Sequence, residues 1–488
     1  MNIVCVVLDT VRYDFLGFNG NEVVQTPNLD HFASQGVVFD NAYIGSYPCM
    51  PARRELWTGT QEFVRRGWGP LEDTDWSLPQ ILKTHGYTTQ IITDHFHFWE
   101  RGSGKYLYDF DGVDIIRGQE TDNWITDQTV NIQYPASPFK LARHKTPEQF
   151  RQWSRNIAQF RKERDWFAPQ LFIRAADWLE TQTQSPFFLL LDSFAPHEPF
   201  WPPHPYNTLY NPGYQGDQVV WPTYGVCDLS AEEIRQVRAL YAGELTLVDK
   251  WFGYFMNQLT ALQLMDTTAI IVVTDHGHLF GEHGLMGKPH AALSDSTLYQ
   301  ELAHIPLAIW YPTRKPVPRR CKELVQFTDL FPTILELAGV NPEQPPDGFS
   351  LMPLVRQTNP ASPRHSAIFG RYGEALNITD GHWTLHLWPT DADFPLYWYS
   401  TEPPHFLPDY YVTTGDLEPS PWGWRYPITL AGMKPQHNAL YNIDVDPKQS
   451  HNLFGRVPKV QDRLTNLLVD HLQRMNTPEE VYRRYRLR

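Results

Sequence analysis

Four short β-branched or aliphatic runs, each closed by an acidic residue or leading to a histidine, restrict what this chain can become. "NIVCVVL" (2–8) runs into Asp9 and Thr10, and "TTQIIT" (88–93) runs into Asp94 and His95. "PFFLLLD" (186–192) leads to the loop carrying His197, and "TAIIVVT" (268–274) runs into Asp275 and His276. Continuous Val/Ile/Leu runs of this length suit strands buried on both faces, as in a parallel sheet covered by helices. Helical patterns lie between them at 26–36, 77–86 and 230–263, the last opening with Ser230 and Glu233 at capping-box spacing. The alternation predicts an α/β fold: a large, doubly wound, mostly parallel sheet flanked by helices. In such sheets ligands bind beyond the carboxyl ends of the strands, so these Asp and His residues predict one shared site. A single Asp after a strand is an ordinary turn former, but four coincident cases outweigh that reading.

The texture changes after about residue 360. Residues 364–388 read as antiparallel strands with turns, 407–429 are rich in Trp, Tyr, Pro and Gly, and 458–475 read as a final helix. This predicts a catalytic α/β domain over 1–360 and a smaller α+β domain over 361–488, with "NPASP" (359–363) as the junction.

A net charge of −14 argues against nucleic acid or an anionic membrane as the main partner. No apolar run approaches the length of a membrane span. The start, "MNIVCVVLDT", lacks a basic segment and a cleavage site, so no signal peptide is expected and a cytoplasmic location is the default. Cys5, Cys49, Cys227 and Cys321 are widely spaced, which fits neither a disulfide framework nor a zinc knuckle.

One of these cysteines stands apart. In "YPCMPARRELWTG" (47–59), Pro51 suits the first turn of a helix and Gly59 suits its stop. Cys49 then lies at a helix N-terminus, where free N–H groups favour anions, with Arg53 one turn on along the same face. A buried structural cysteine and a low-pKa redox thiol are the plain alternatives.

The Cys-x-Pro-x-Arg pattern of "CMPAR" (49–53) resembles the signature of the type I sulfatases of the alkaline phosphatase superfamily. "VLDTVRYDFLG" (7–17), "VVTDHGHLFGEHGLMGK" (272–288), "ELAHIPLAIWYP" (301–312), "FTDLFPTILELAGV" (327–340) and "ALYNIDVDPKQSHNL" (439–453) resemble further family landmarks in the same order. The resemblance implies that a maturation enzyme oxidises Cys49 to formylglycine. One hydroxyl of the hydrated aldehyde would attack sulfur, and deprotonation of the other would release sulfate. It implies a divalent cation, Ca²⁺ first and Mn²⁺ or Mg²⁺ as alternatives, held by Asp9, Thr10, residue 49, Asp275 and His276.

It further implies that Arg53 holds the oxygen of residue 49 and that Lys288 binds the sulfuryl oxygens. His197 would protonate the departing alcohol, and His97 would assist the aldehyde hydrate. His95 stands where relatives often carry a lysine, and is expected to face substrate. His278 and His283 read as structural. The expected substrate is a small-molecule or sugar sulfate ester.

Two other functions stay open at this stage. A phosphonate monoester hydrolase or phosphodiesterase of the same superfamily fits the same motif, and Thr10 and His95 keep that alternative alive. A non-catalytic binding protein would leave Cys49 a thiol. The aromatic stretches 396–412 and 422–426 suit a pocket wall, a contact between copies in a homo-oligomer, or loop packing. The basic segment 140–167 suits a helical insertion near an entrance or a solvated face.

Overall fold

The computed structural model describes residues 1–100, 103, 105–132, 140, 146–182, 186–312, 319–357, 362–390, 395–402, 411–430 and 436–487. The central sheet has eight strands: β1 (Asn2–Leu8), β2 (Val37–Tyr43), β3 (Thr88–Thr93), β4 (Gly112–Ile115), β5 (Phe187–Ser193), β6 (Thr268–Val273), β7 (Leu307–Trp310) and β8 (Arg319–Gln326). Their order is β8-β2-β7-β6-β1-β5-β3-β4. Only β7 runs antiparallel to its neighbours. All four apolar runs are central strands, and the expected mixed, mostly parallel sheet is the one observed.

The strand β1 shows why the runs are apolar throughout. Ile3, Cys5 and Val7 enter one core cluster, while Val4, Val6 and Leu8 enter the other. The first core is closed by Leu56 and Trp57 of the helix Cys49–Thr58 and by Ile334 of the helix Leu330–Ala338. The second is closed by Leu171 and Phe172 of the helix Phe167–Thr181 and by Val237 and Leu240 of the helix Ala231–Ala261. Each such aliphatic side chain contributes about 1.5–3 kcal/mol by burial. Ser230 and Glu233 form the expected capping box of the long helix.

Beyond the central sheet, Ala367–Arg371, Leu376–Thr379, Trp383–Leu387 and Ala439–Asn442 form an antiparallel sheet. Its far edge is Ser46–Tyr47, which pairs in parallel with Gly370 and Arg371. The C-terminal sheet therefore grips the chain immediately before Cys49. The final helix spans Pro458–Arg474 and buries Leu464, Leu468 and Leu472. Residues 359–361 of the expected junction, 403–410 of the aromatic stretch and 141–145 of the basic segment lie outside the described residues. No helix among the described residues is long and apolar enough to cross a membrane.

Candidate active site

The helix Cys49–Thr58 begins at the cysteine, and Gly59 ends it in the left-handed region at φ 70°. That conformation favours glycine, and its N–H donates to the Glu55 carbonyl at 2.7 Å. The helix lies on one face of the sheet, and its first turn meets the carboxyl ends of β1, β5 and β6. Asp9, Cys49, Asp275 and His276 are all buried there, with their candidate ligand atoms within 4.8 Å of one another.

The cluster is held in place by hydrogen bonds. Nδ1–H of His276 donates to the Gly277 carbonyl at 2.9 Å, which leaves the Nε2 lone pair facing Cys49 Sγ at 3.1 Å. A histidine fixed this way by its other nitrogen is the usual state of a metal ligand. Two carboxylates, an imidazole and the side chain at position 49 fit a divalent cation.

Thr10 sits at φ 67°, a costly conformation for a β-branched residue. From there its N–H donates to Asp275 Oδ1 at 3.1 Å and its hydroxyl to Asp9 Oδ1 at 2.5 Å. Both of its donors therefore serve the carboxylates on either side.

Arg53 donates to the main-chain oxygen of residue 49 at 3.2 Å. It also donates to Asp275 Oδ2 at 2.6 Å and to both oxygens of Asp192 at 2.8 and 2.9 Å, and forms an ion pair with Asp9 Oδ2 at 3.0 Å. Asp192 was not among the expected site residues. Its signal was present, because it closes an apolar run as Asp9 and Asp275 do. Asp94 carries the same signal and goes elsewhere: it accepts from the Phe194 N–H at 2.7 Å and the Gln119 amide at 2.8 Å.

Electrostatics follow from burial. Burial, reinforced by Asp9, pushes the Cys49 thiol well above its ordinary value, which opposes a redox thiolate. For Asp9, burial acts upward, but Arg53 and the His95 hydrogen bond outweigh it and hold the carboxyl well below the usual range. His95 lies fully buried with Nε2 3.2 Å from Asp9 Oδ2, and Nδ1 has no partner among the described residues. Burial and the Arg53 cation hold His95 well below the ordinary histidine value, so it adds no positive charge. His97 pairs with Glu100 at 2.6 Å and packs its ring edge-on to Trp68 rather than bonding to Cys49.

The opposite side of Cys49 holds Lys288 and His197. Lys288 Nζ lies 3.7 Å from Cys49 Sγ and hydrogen-bonds Nε2 of His197. Burial acts against the ammonium, but Cys49 and Glu198 outweigh it and raise Lys288 above its ordinary value. Nδ1 of His197 donates to the Glu198 carbonyl at 2.6 Å, and its ring stacks on Phe194 at 4.0 Å. Burial, opposed by Glu198 and aided by Lys288, pushes His197 down to about 4.

Glu198, which the sequence did not single out, is fully buried between His197 and His278, each 3.4 Å from its Oε2, and accepts from the Tyr224 hydroxyl. Burial acts upward on Glu198, but the neighbouring His197, Lys288 and the His278 hydrogen bond outweigh it and hold the carboxyl well below its usual range. His283 stacks on Tyr299 at 3.5 Å, outside the cluster.

The chain as a whole is similar to known proteins. The family model described as Sulfatase matches residues 1–340, which is more than half of the chain. The chain belongs to the sulfatase family. It is 26% identical to arylsulfatase K of Xenopus laevis, over 96% of this chain and 82% of the relative. Among solved structures, one in complex with its substrate D-glucosamine-2-N,6-O-disulfate superposes with a TM-score of 0.68 at 18% identity, covering 98% of this chain and 99% of that one. A phosphonate monoester hydrolase from Silicibacter pomeroyi superposes at 0.69 and 19% identity, covering 97% and 95%. These neighbours establish the alkaline phosphatase-like fold. The sulfatase is a sulfuric ester hydrolase, of a family that uses a metal and a formylglycine.

Proposed function

We propose that this sulfatase releases sulfate from a small-molecule or sugar sulfate ester, with residue 49 as nucleophile. The observation that carries the reading is the convergence of Cys49, Asp9, Asp275 and His276 on one buried point. Asp9, Asp275, His276 and the modified residue 49 would hold the cation, Ca²⁺ first, with Mn²⁺ or Mg²⁺ as alternatives. Bound there, the cation supplies Lewis-acid activation of the nucleophile. The hydrate of formylglycine at position 49 would supply a second hydroxyl, whose deprotonation would expel sulfate by cleavage of the C–O bond and restore the aldehyde without water attacking sulfur.

The chain's own groups divide the remaining work. Thr10 orients the two carboxylates. Lys288, close to Cys49 and charged, binds the sulfuryl oxygens and offsets charge growing on them. The proton between Nζ of Lys288 and Nε2 of His197 rests on the lysine, with the neutral imidazole accepting it. His197 would carry it to the departing oxygen, with Nδ1 anchored on the Glu198 carbonyl. His95 acts on Asp9 as a neutral partner, and His97 forms part of the wall beside it.

Cys49 is 1% exposed, so the maturation enzyme must reach the motif before the site closes. We assign the catalytic unit to 1–360 and a smaller unit to 361–488, joined through the strand at Ser46–Tyr47. Unpaired, widely spaced cysteines support the cytoplasmic reading.

The alternative is phosphonate monoester hydrolysis. It is favoured by the neutral His95, which places less positive charge at the site than a lysine would. A panel of aryl sulfate, phosphate diester and phosphonate monoester substrates decides. The highest kcat/KM is expected for sulfate, and a higher value for phosphonate would overturn the assignment.

A further inference from the structure

The guanidinium of Arg53 has five N–H donors, and four of them donate inside the protein. Nε donates to Asp192 Oδ2 at 2.9 Å, and Nη2 donates to Asp192 Oδ1 at 2.8 Å and forms an ion pair with Asp9 Oδ2 at 3.0 Å. Nη1 donates to Asp275 Oδ2 at 2.6 Å and the Cys49 carbonyl at 3.2 Å. All four charged side chains are 0–1% exposed, so bulk solvent reaches none of them.

The sheet register explains how three carboxylates reach one arginine. Val7 of β1 lies opposite Asp192 of β5 and opposite Val273 of β6. Asp9 and Asp275 each follow two residues later, just past the ends of β1 and β6. The three acids therefore gather at the carboxyl ends of three adjacent strands, where the helix carrying Arg53 meets them.

The bidentate pair with Asp192 fixes the guanidinium plane. The Nη1 hydrogen bond to Asp275 and the Nη2 ion pair with Asp9 then set the spacing of these two carboxylates, which face the cation site. We infer that Asp192 is a positioning residue for the cation site, acting through Arg53. The inference rests on the assignment of Asp9 and Asp275 as cation ligands. Asp192 is a partner one step removed from the metal, and loss of such partners costs about 10–100-fold in metal affinity.

The test is calorimetric titration of Ca²⁺ and Mn²⁺ into cation-stripped protein. Asp192→Asn is expected to lose about 10–100-fold in affinity. Asp192→Glu keeps the charge but displaces the carboxylate, and is expected to lose affinity too, beyond any change in melting temperature. In an Arg53→Met background, Asp192→Asn is expected to cost almost nothing further.

Wild-type affinity in Asp192→Asn would overturn the inference. So would wild-type affinity in Asp192→Glu alone, which would make charge rather than position the cause. A full loss persisting without Arg53 would also overturn it. If Asp192→Asn does not fold, Asp192→Glu gives the decision. If the wild-type protein binds no divalent cation, the cation site itself is refuted, which is a separate outcome.

Discussion

Nε2 of His276 lies 3.1 Å from Sγ of Cys49, while its other ring nitrogen is tied to the Gly277 carbonyl. One imidazole therefore links the helix that starts at Cys49 to the end of β6. His276→Ala is expected to weaken cation binding by at least about 10-fold, the loss that even outer partners cause. Titration calorimetry checks this, and unchanged affinity would remove His276 from the ligand set.

Chelation gives a second, global readout. A cation that binds only the folded state stabilises it by about 2.7 kcal/mol at one hundred times its Kd. Stripping the cation is therefore expected to lower the melting temperature and abolish turnover, and adding Ca²⁺ back is expected to restore both. A melting temperature indifferent to chelator and cation would count against a site built by Asp9 and Asp275.

His197 and Lys288 share a hydrogen bond on the leaving-group side. His197→Ala is expected to reduce kcat/KM by about 10²–10⁴-fold for esters of poorly acidic alcohols. The loss should be much smaller for nitrophenyl sulfate, whose leaving group needs no proton. A loss of equal size across the leaving-group series contradicts the role of proton carrier.

Acid sensitivity has an identifiable source away from the site. His386 hydrogen-bonds Asn377 at 2.6 Å and His471 hydrogen-bonds Ser366 at 2.9 Å. Burial pushes both down to about 3. The unfolded chain takes up these protons near the ordinary value of 6.5, long before the folded chain does. The unfolded state thus binds more protons between those values, and stability falls as pH drops through that window. Each histidine contributes about 1.4 kcal/mol per pH unit. Thermal unfolding against pH is expected to show a shallower fall for His471→Gln; an unchanged slope contradicts it.

The sheet was legible because its central strands are apolar on both faces, a pattern that leaves little choice of environment. Cys49, Asp9, Asp275 and His276 were legible because a strand end or a helix start dictates where each one points. Asp192 and Asp94 both close apolar runs, yet only Asp192 meets Arg53. The difference lies in where the helix Cys49–Thr58 docks on the sheet, which no local pattern encodes. Glu198 was hidden because its role comes from His278 and Tyr224, far away along the chain. The pairing of Ser46–Tyr47 with Gly370 and Arg371 was equally invisible, since a two-residue strand has no periodicity to read.

The central claim is that chemistry at residue 49 depends on an aldehyde beside a cation, not on a thiol. The most direct measurement is peptide mass spectrometry of residue 49, paired with sulfate-release rates, on samples matured to different extents. The rate is expected to rise in proportion to the fraction of formylglycine and to vanish when residue 49 is entirely cysteine. Full turnover from protein carrying only the thiol would contradict the account.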